Sequence, residues 1–283
     1  MNLFNIINEI EKVDPDFKDK ISPRRDAIKN ITSFGSKVAL AALPMAVSTI
    51  FNKAKAQSSP GTSRSVTEVL NFALQLEYFE AYFYNKGNGM SGFIPASSAY
   101  YFTVAGTQEN DHVTFLQSVL GSSASTANAS YDLTAGGTFS DVLTNFATYL
   151  AVAQVVEDTG VRAYKGQAPY LLGNQVVLSA ALSIHAVEAR HASALRSLRG
   201  ISSWIDSTQA NSNDTGIGAA VDGNYGGATP ENNVVQGPVT ITSLPSIESS
   251  SSTNFTVAAA AFDEPLTTSE VAALVLPFGV TVS

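Results

Sequence analysis

Four stretches of the chain carry apolar residues at steps of three and four, the period of a helix buried along one side. They are Val66, Leu70, Ala73, Ala81 and Tyr84; Ala105, Leu116 and Val119; Phe146, Leu150, Ala153, Val161 and Tyr164; and Ala181, Ile184, Leu195 and Leu198. Each stripe is broken by a polar group in the middle of its apolar face. Glu77 interrupts the first, Glu109 and His112 the second, Glu157 the third, and Glu188 and His191 the fourth. The pattern predicts an all-α core of four helices. The first starts near Thr67 and Glu68 and ends at Gly87 and Gly89, and the second runs over about 96–120. The third is expected from about Ser140 to Gly166, and the fourth from Asn174 to Gly200.

The interruptions are ordered. Glu109 follows Glu77 by 32 residues and Glu188 follows Glu157 by 31; Tyr84 and Tyr164 each stand seven residues after the upstream Glu. A unit of Glu, Tyr and Glu-x-x-His therefore occurs twice. Most Glu and His residues three apart on a helix are solvated surface pairs. Here both pairs sit on apolar stripes, which predicts that they point inward. A buried carboxylate without a partner is costly, so several of them facing one another call for cations.

This arrangement resembles the ferritin-like di-iron carboxylate superfamily, in which one Glu from each of two helices and a Glu-x-x-His from each of the other two project into a four-helix bundle. LNFALQLEYFEAYFY around Glu77 and the later FDEPLT are similar to an exported ferritin-like group that includes desiccation-related proteins. The resemblance covers Val66 to Gly200 and, in the tail, Phe262 to Thr267. It implies Glu77 and His112 as ligands to one metal, Glu157 and His191 to the other, and Glu109 and Glu188 as bridges. Tyr84 and Tyr164 would orient carboxylates from outside the ligand set, and Glu80 and His185 are further candidates for that outer role. Glu80 competes with Glu77 and could instead be a solvated edge. His185 lies one position off its stripe, which leaves a ligand role, an outer role and an ordinary helix flank all open.

A ferritin-like bundle has one long crossover between two hairpins. The Ser122–Gly137 segment, rich in Ser, Ala, Gly and Thr, fits that part. Sixteen residues reach ~53 Å when extended, against ~38 Å for the length of a 25-residue helix.

Composition narrows the chemistry. Cysteine is absent, which excludes disulfides, iron–sulfur clusters and a rubredoxin-type centre, so electrons for a redox reaction must come from an external donor. Carboxylate and imidazole ligands suit two ions of Fe first, with Mn as the second choice. Their expected substrate is O2 or peroxide, by ferroxidase, oxidase, peroxidase or catalase-type chemistry, with no single catalytic residue assigned. The alternative is a non-catalytic stress- or desiccation-associated, metal-binding protein on the same fold.

Residues 1–56 read as an export signal. Arg24, Arg25 and Lys29 precede an apolar run from Val38 to Phe51, and Ala54-Lys55-Ala56 supplies a cleavage pattern, with cleavage expected after Ala56. The paired arginines resemble a twin-arginine signal, although Ala27 stands where that pattern has Phe, and a general secretory signal stays open. Fourteen apolar residues containing Pro44 are short for spanning ~30 Å of hydrocarbon, so no stable membrane span is expected after cleavage, and the mature protein would be periplasmic or extracellular. Removing 1–56 leaves 7 basic against 18 acidic residues, a net charge of −11, which disfavours nucleic acid as partner. A homodimer is compatible with the sequence, whereas a closed shell fits poorly with an added tail. Domain organisation is therefore 1–56 signal, 57–200 bundle, and 201–283 an irregular extension. The extension is expected to have short strands in NVVQGPVTITSLPSI and a small helix over about 269–274 capped by Thr267 or Thr268. It should lay Phe255, Phe262, Leu274 and Phe278 on the bundle, with Asp263 and Glu264 read as turn formers.

Overall fold

The computed structural model describes residues 64–205, 215–241 and 259–282. The expected export signal and cleavage position, and Phe255, lie outside the described residues. Among the described residues no helix is long and apolar enough to cross a membrane.

Four long helices form the core: α1 (Val66–Asn88), α2 (Ala96–Leu120), α3 (Phe146–Gln167) and α4 (Gln175–Leu198). Their ends are set by local chemistry. Ser65 and Glu68 cap the start of α1 reciprocally, each side chain accepting from the other's backbone N–H. Gly121 leaves α2 at a positive φ of 55°, and Asn174 caps α4 by accepting from the Val177 N–H at 3.2 Å.

The third helix starts later than the sequence predicts, at Phe146 rather than Ser140. Side chains that bond their own neighbourhood compete with helix here. Asp132 accepts from the N–H groups of Thr134 at 2.9 Å and Gly136 at 3.0 Å. Ala135, Gly136 and Gly137 take positive φ, and Asn145 caps the helix by accepting from the Ala147 N–H at 3.0 Å. Residues 121–145 therefore form a longer crossover than the expected Ser122–Gly137.

Contacts between helices fix the topology. Along α1 from Tyr78 to Asn85, the partners on α2 descend from Gln117 to Asn110. Tyr84 meets Glu157 while Glu77 meets Tyr164, and Asp158 meets Arg196 while Gln154 meets Arg199. Each adjacent pair is thus antiparallel, α2 and α3 run the same way, and the connection between them must return along the bundle. It does so along α1. Asn71 accepts from the Ser125 N–H at 2.7 Å, Gln75 donates to Ser125 Oγ at 2.7 Å, and Tyr131 packs on Phe79 and Tyr82. The expected bundle, with one long crossover flanked by two hairpins, is the one observed.

The extension covers α3, which is buried at every residue from Tyr149 to Tyr164. Its elements are a helical turn α5 (Asp222–Tyr225), an antiparallel pair β1 (Val235–Gln236) and β2 (Val239–Thr240), and α6 (Thr268–Val275), capped by Thr267 with Glu270. Phe278 is buried against Phe79 and Leu274 is partly buried, as expected. Phe262 instead is 39% exposed, in a strap that meets α3 through Leu266, whose N–H donates to the Arg162 carbonyl at 3.1 Å. That strap approaches so closely that a Cβ at Gly166 would stand 1.9 Å from the Leu266 carbonyl oxygen. Val119 and Leu198 are also exposed; both lie in the last turn of their helices, beyond the cover of the neighbouring ones.

Polar contacts hold the extension down. The fully buried Arg162 donates to the carbonyls of Glu264 at 2.8 Å, Asn224 at 2.5 Å, Gly226 at 3.0 Å and Thr229 at 2.7 Å, and its Nε lies 2.7 Å from Glu231 Oε1. Glu264 is buried and accepts from Asn233 and Gln236, so it is a packed polar residue rather than a simple turn former. Replacing Arg162 with Met leaves Glu231 buried without its counter-ion and four carbonyls without their donor. We expect Arg162→Met to cost roughly 3–5 kcal/mol, read as a lowered urea midpoint, and Arg162→Met with Glu231→Gln to recover part of the loss.

Candidate metal centre

Glu77 comes from α1, Glu109 and His112 from α2, Glu157 from α3, and Glu188 and His191 from α4. The structure brings all six to the middle of the bundle. The four carboxylates have no exposure, and the imidazole side chains of His112 and His191 are 11% and 6% exposed. Burial follows from the stripes: each polar group is flanked one turn away by residues such as Ala73, Ala105, Leu116, Ile184 and Leu195, which are themselves buried.

The ligand atoms fall into two overlapping groups, each with all its atoms within 4.8 Å of one another. One holds Glu77, Glu109, His112 and Glu188; the other holds Glu109, Glu157, Glu188 and His191. Glu109 and Glu188 belong to both. His112 Nδ1 lies 3.1 Å from both Glu77 Oε2 and Glu109 Oε2, and 3.3 Å from Glu188 Oε1. His191 Nδ1 lies 2.7 Å from Glu109 Oε1 and 3.3 Å from Glu157 Oε2.

The tyrosines cross between the halves. Tyr84 of α1 donates to Glu157 Oε1 of α3, and Tyr164 of α3 donates to Glu77 Oε1 of α1. In each of these carboxylates one oxygen is held by a tyrosine and the other, Oε2, faces a histidine.

These residues fit a pair of cations. Glu109 Oε1, Glu157 Oε2, both oxygens of Glu188 and His191 Nδ1 are buried and have no hydrogen-bond partner, although Glu109 Oε1 and His191 Nδ1 stand 2.7 Å apart. Outside the cluster, His191 Nε2 lies 2.7 Å from the side-chain oxygen of Gln108. An oxygen there accepts, so Nε2 carries the hydrogen and the Nδ1 lone pair is turned toward two carboxylates. Such a face is stable only around a positive charge, either a metal ion or a proton.

Electrostatics in the metal-free state agree. Burial pushes the Glu77 carboxyl up to about 7, with His112 opposing and Glu109 adding to the rise. Glu188 is raised well above the usual range by burial and then by the Glu77 charge, and Glu157 is raised chiefly by burial. For His191, burial disfavours the imidazolium, but Glu157 and Glu109 outweigh it and lift the group to about 11. His112 is raised too, its burial overcome by Glu109, Glu188 and Glu77. Without metal, protons take the place of cations.

The remaining candidates are placed as follows. Glu80 is 2% exposed, which removes the solvated-edge alternative, and it belongs to neither group of converging atoms. His185 stands apart from the six, its Nε2 4.0 Å from Asp263 Oδ2 of the extension. Gln108 and Tyr101 are contacts that sequence reasoning missed. Tyr101 lies 3.2 Å from the Tyr84 hydroxyl and donates to the His191 carbonyl at 3.2 Å. Gln108 stands on the exposed side of α2 and carries no periodic signal; only its place beside Glu109 could have drawn attention to it.

Residues 65–200 match the family profile described as a ferritin-like domain. This segment is a ferritin-like domain. No curated protein and no solved structure matches the chain. The ferritin-like domain begins at the Ser65 cap and ends at Gly200, and its buried acid and imidazole cluster is compatible with a dinuclear metal site.

A pH prediction follows for the metal-free protein. Glu77 rises from 4.5 to about 7 and His191 from 6.5 to about 11, so the folded state holds more protons than the unfolded chain across both intervals. Stability is then greatest at acid pH and falls as pH climbs through these values. Thermal unfolding of metal-free protein should give a lower Tm at pH 8 than at pH 5, and Glu77→Gln should flatten the part of the slope below pH 7.

Proposed function

We propose that the ferritin-like domain holds two metal ions, Fe first and Mn second, in an exported protein that reduces O2 or peroxide. The observation that carries this reading is the sharing of Glu109 and Glu188 by both groups of ligand atoms. Two separate sites would need no shared carboxylate; a dinuclear one does. One ion would be held by Glu77 and His112, the other by Glu157 and His191, with Glu109 and Glu188 between them. Six oxygen- and nitrogen-bearing ligands without thiolate suit Fe or Mn over structural zinc. Such ions, when bound, would supply the redox chemistry that O2 or peroxide reduction needs.

The chain's own residues have defined tasks in this reading. Tyr84 and Tyr164 each hold one oxygen of Glu157 and Glu77, which leaves the second oxygen aimed inward. Gln108 fixes the His191 ring by its Nε2 and so sets which nitrogen faces the centre. Ala105, Leu116, Ile184 and Leu195 keep the surroundings apolar. With no cysteine in the chain, reducing equivalents would come from a separate donor. Export rests on the Arg24-Arg25 segment and the apolar run from Val38 to Phe51.

A second reading is a metal-binding, stress- or desiccation-associated protein without turnover. The lack of exposure of all four carboxylates favours it, since an enclosed centre retains metal more readily than it exchanges substrate.

The test is metal content together with turnover. Protein purified from its natural compartment should carry close to two Fe or Mn per chain, and Glu109→Ala with Glu188→Ala should lose both. Consumption of O2 or peroxide by the loaded protein would support the oxidoreductase, and full loading with no consumption would support the second reading. Absence of metal that added Fe(II) or Mn(II) cannot restore would overturn both.

A further inference from the structure

The first helices of the two halves are related by a constant offset: Glu77 to Glu157 and Tyr84 to Tyr164 are each 80 residues apart. The same offset carries Glu80 onto Gly160. One half thus has a carboxylate where the other has no side chain, and the two positions meet in space. A Cβ at Gly160 would stand 2.8 Å from Glu80 Oε1 and 3.4 Å from Glu188 Oε2. The glycine therefore leaves the space in which Glu80 reaches across to α3, beside one of the two shared carboxylates.

Glu80 arrives there unsatisfied. It is 2% exposed, and its Oε2 has no hydrogen-bond partner, nor has either oxygen of Glu188. Two adjacent carboxylates with buried, unpaired oxygens are unstable unless a positive charge joins them. Glu80 and Gly160 also line a cavity of about 20 Å³ with Thr159, Asn224 and Phe278, which is room for about one water.

We propose that Glu80 is a seventh protein ligand of the centre, binding beside Glu188 in the space opened by Gly160, so that the two metal positions are inequivalent. The proposal rests on the dinuclear reading and goes beyond it. The six residues of the repeat would build two equal positions; Glu80 has no counterpart and adds an oxygen donor on one flank.

Full-length metal-free protein titrated with Co(II), followed by visible absorption, tests this. The wild type should bind two Co(II) with distinguishable affinities. Glu80→Gln, which keeps shape and removes charge, should weaken one of the two at least tenfold and change the spectrum of that ion alone. Gly160→Ala, whose methyl would crowd Glu80 Oε1 more closely than Glu188 Oε2 and leave both carboxylates in the chain, should reproduce the same split. Thermal melts of the metal-free variants check that the fold is kept. Two Co(II) bound by both variants with wild-type affinities and spectra would overturn the seventh ligand while leaving the dinuclear reading intact. Failure of the wild type to bind Co(II) would overturn both.

Discussion

Mutual repulsion of buried carboxylates governs this structure. Glu77, Glu80, Glu109, Glu157 and Glu188 all lie inside one bundle at 2% exposure or less. Burial first, and neighbouring charges after it, favour the protonated forms of Glu77, Glu80, Glu157 and Glu188, and the repulsion among the charged forms opposes collapse. Stripes of Ala, Val, Leu and Phe drive the helices together regardless, and the conflict settles at the centre, where His112, His191 and two tyrosine hydroxyls supply what positive or donating character the chain can offer. The donors are too few, as the unpartnered oxygens of Glu109, Glu157 and Glu188 show. The remaining imbalance is what makes the site a binding site.

The four helices carry this load unequally. α1 lies under the crossover and α3 under the extension, whereas α2 and α4 keep broad exposed faces. Lying inside on every side, α3 must satisfy polar residues on its outer face as well. It does so through a second polar layer: Asp158 with Arg196 and Tyr225, Thr159 with Asn224, and Arg162 with the carbonyls of the extension and Glu231. The extension is thereby tied to the helix that also presents Glu157 and Tyr164, so its docking and the geometry of the centre share one scaffold.

The stripes made the helices, the antiparallel pairing and the inward acids and imidazoles legible before any coordinates, because helical period and charge on an apolar face are local signals. Three things were not. The start of α3 depends on Asp132, Asp141 and Asn145 bonding their own neighbours, which periodicity does not register. The outer face of α3, with Gln154, Asp158 and Arg162, reads in sequence as a solvated face, since its cover comes from residues 60 to 100 positions away. Glu80 and Gly160 are unremarkable singly, and only their spatial meeting gives either a role. The seven-residue spacing puts each tyrosine on the face of its own Glu, but spacing on one helix does not reveal that each hydroxyl meets the carboxylate of the opposite half.

That crossing of tyrosines makes the centre a product of exchange. Neither hairpin contains its own complete half-site: the first supplies Glu77 and borrows the hydroxyl that steadies it, and the second does the same with Glu157. The loan is reciprocal: each hairpin lends a tyrosine hydroxyl to the carboxylate of the other. The chain has the form of a dimer of hairpins whose partners have been tethered by residues 121–145. Tethering lets the halves differ, and a carboxylate at 80 facing a glycine at 160 is an asymmetry that two identical subunits could not carry.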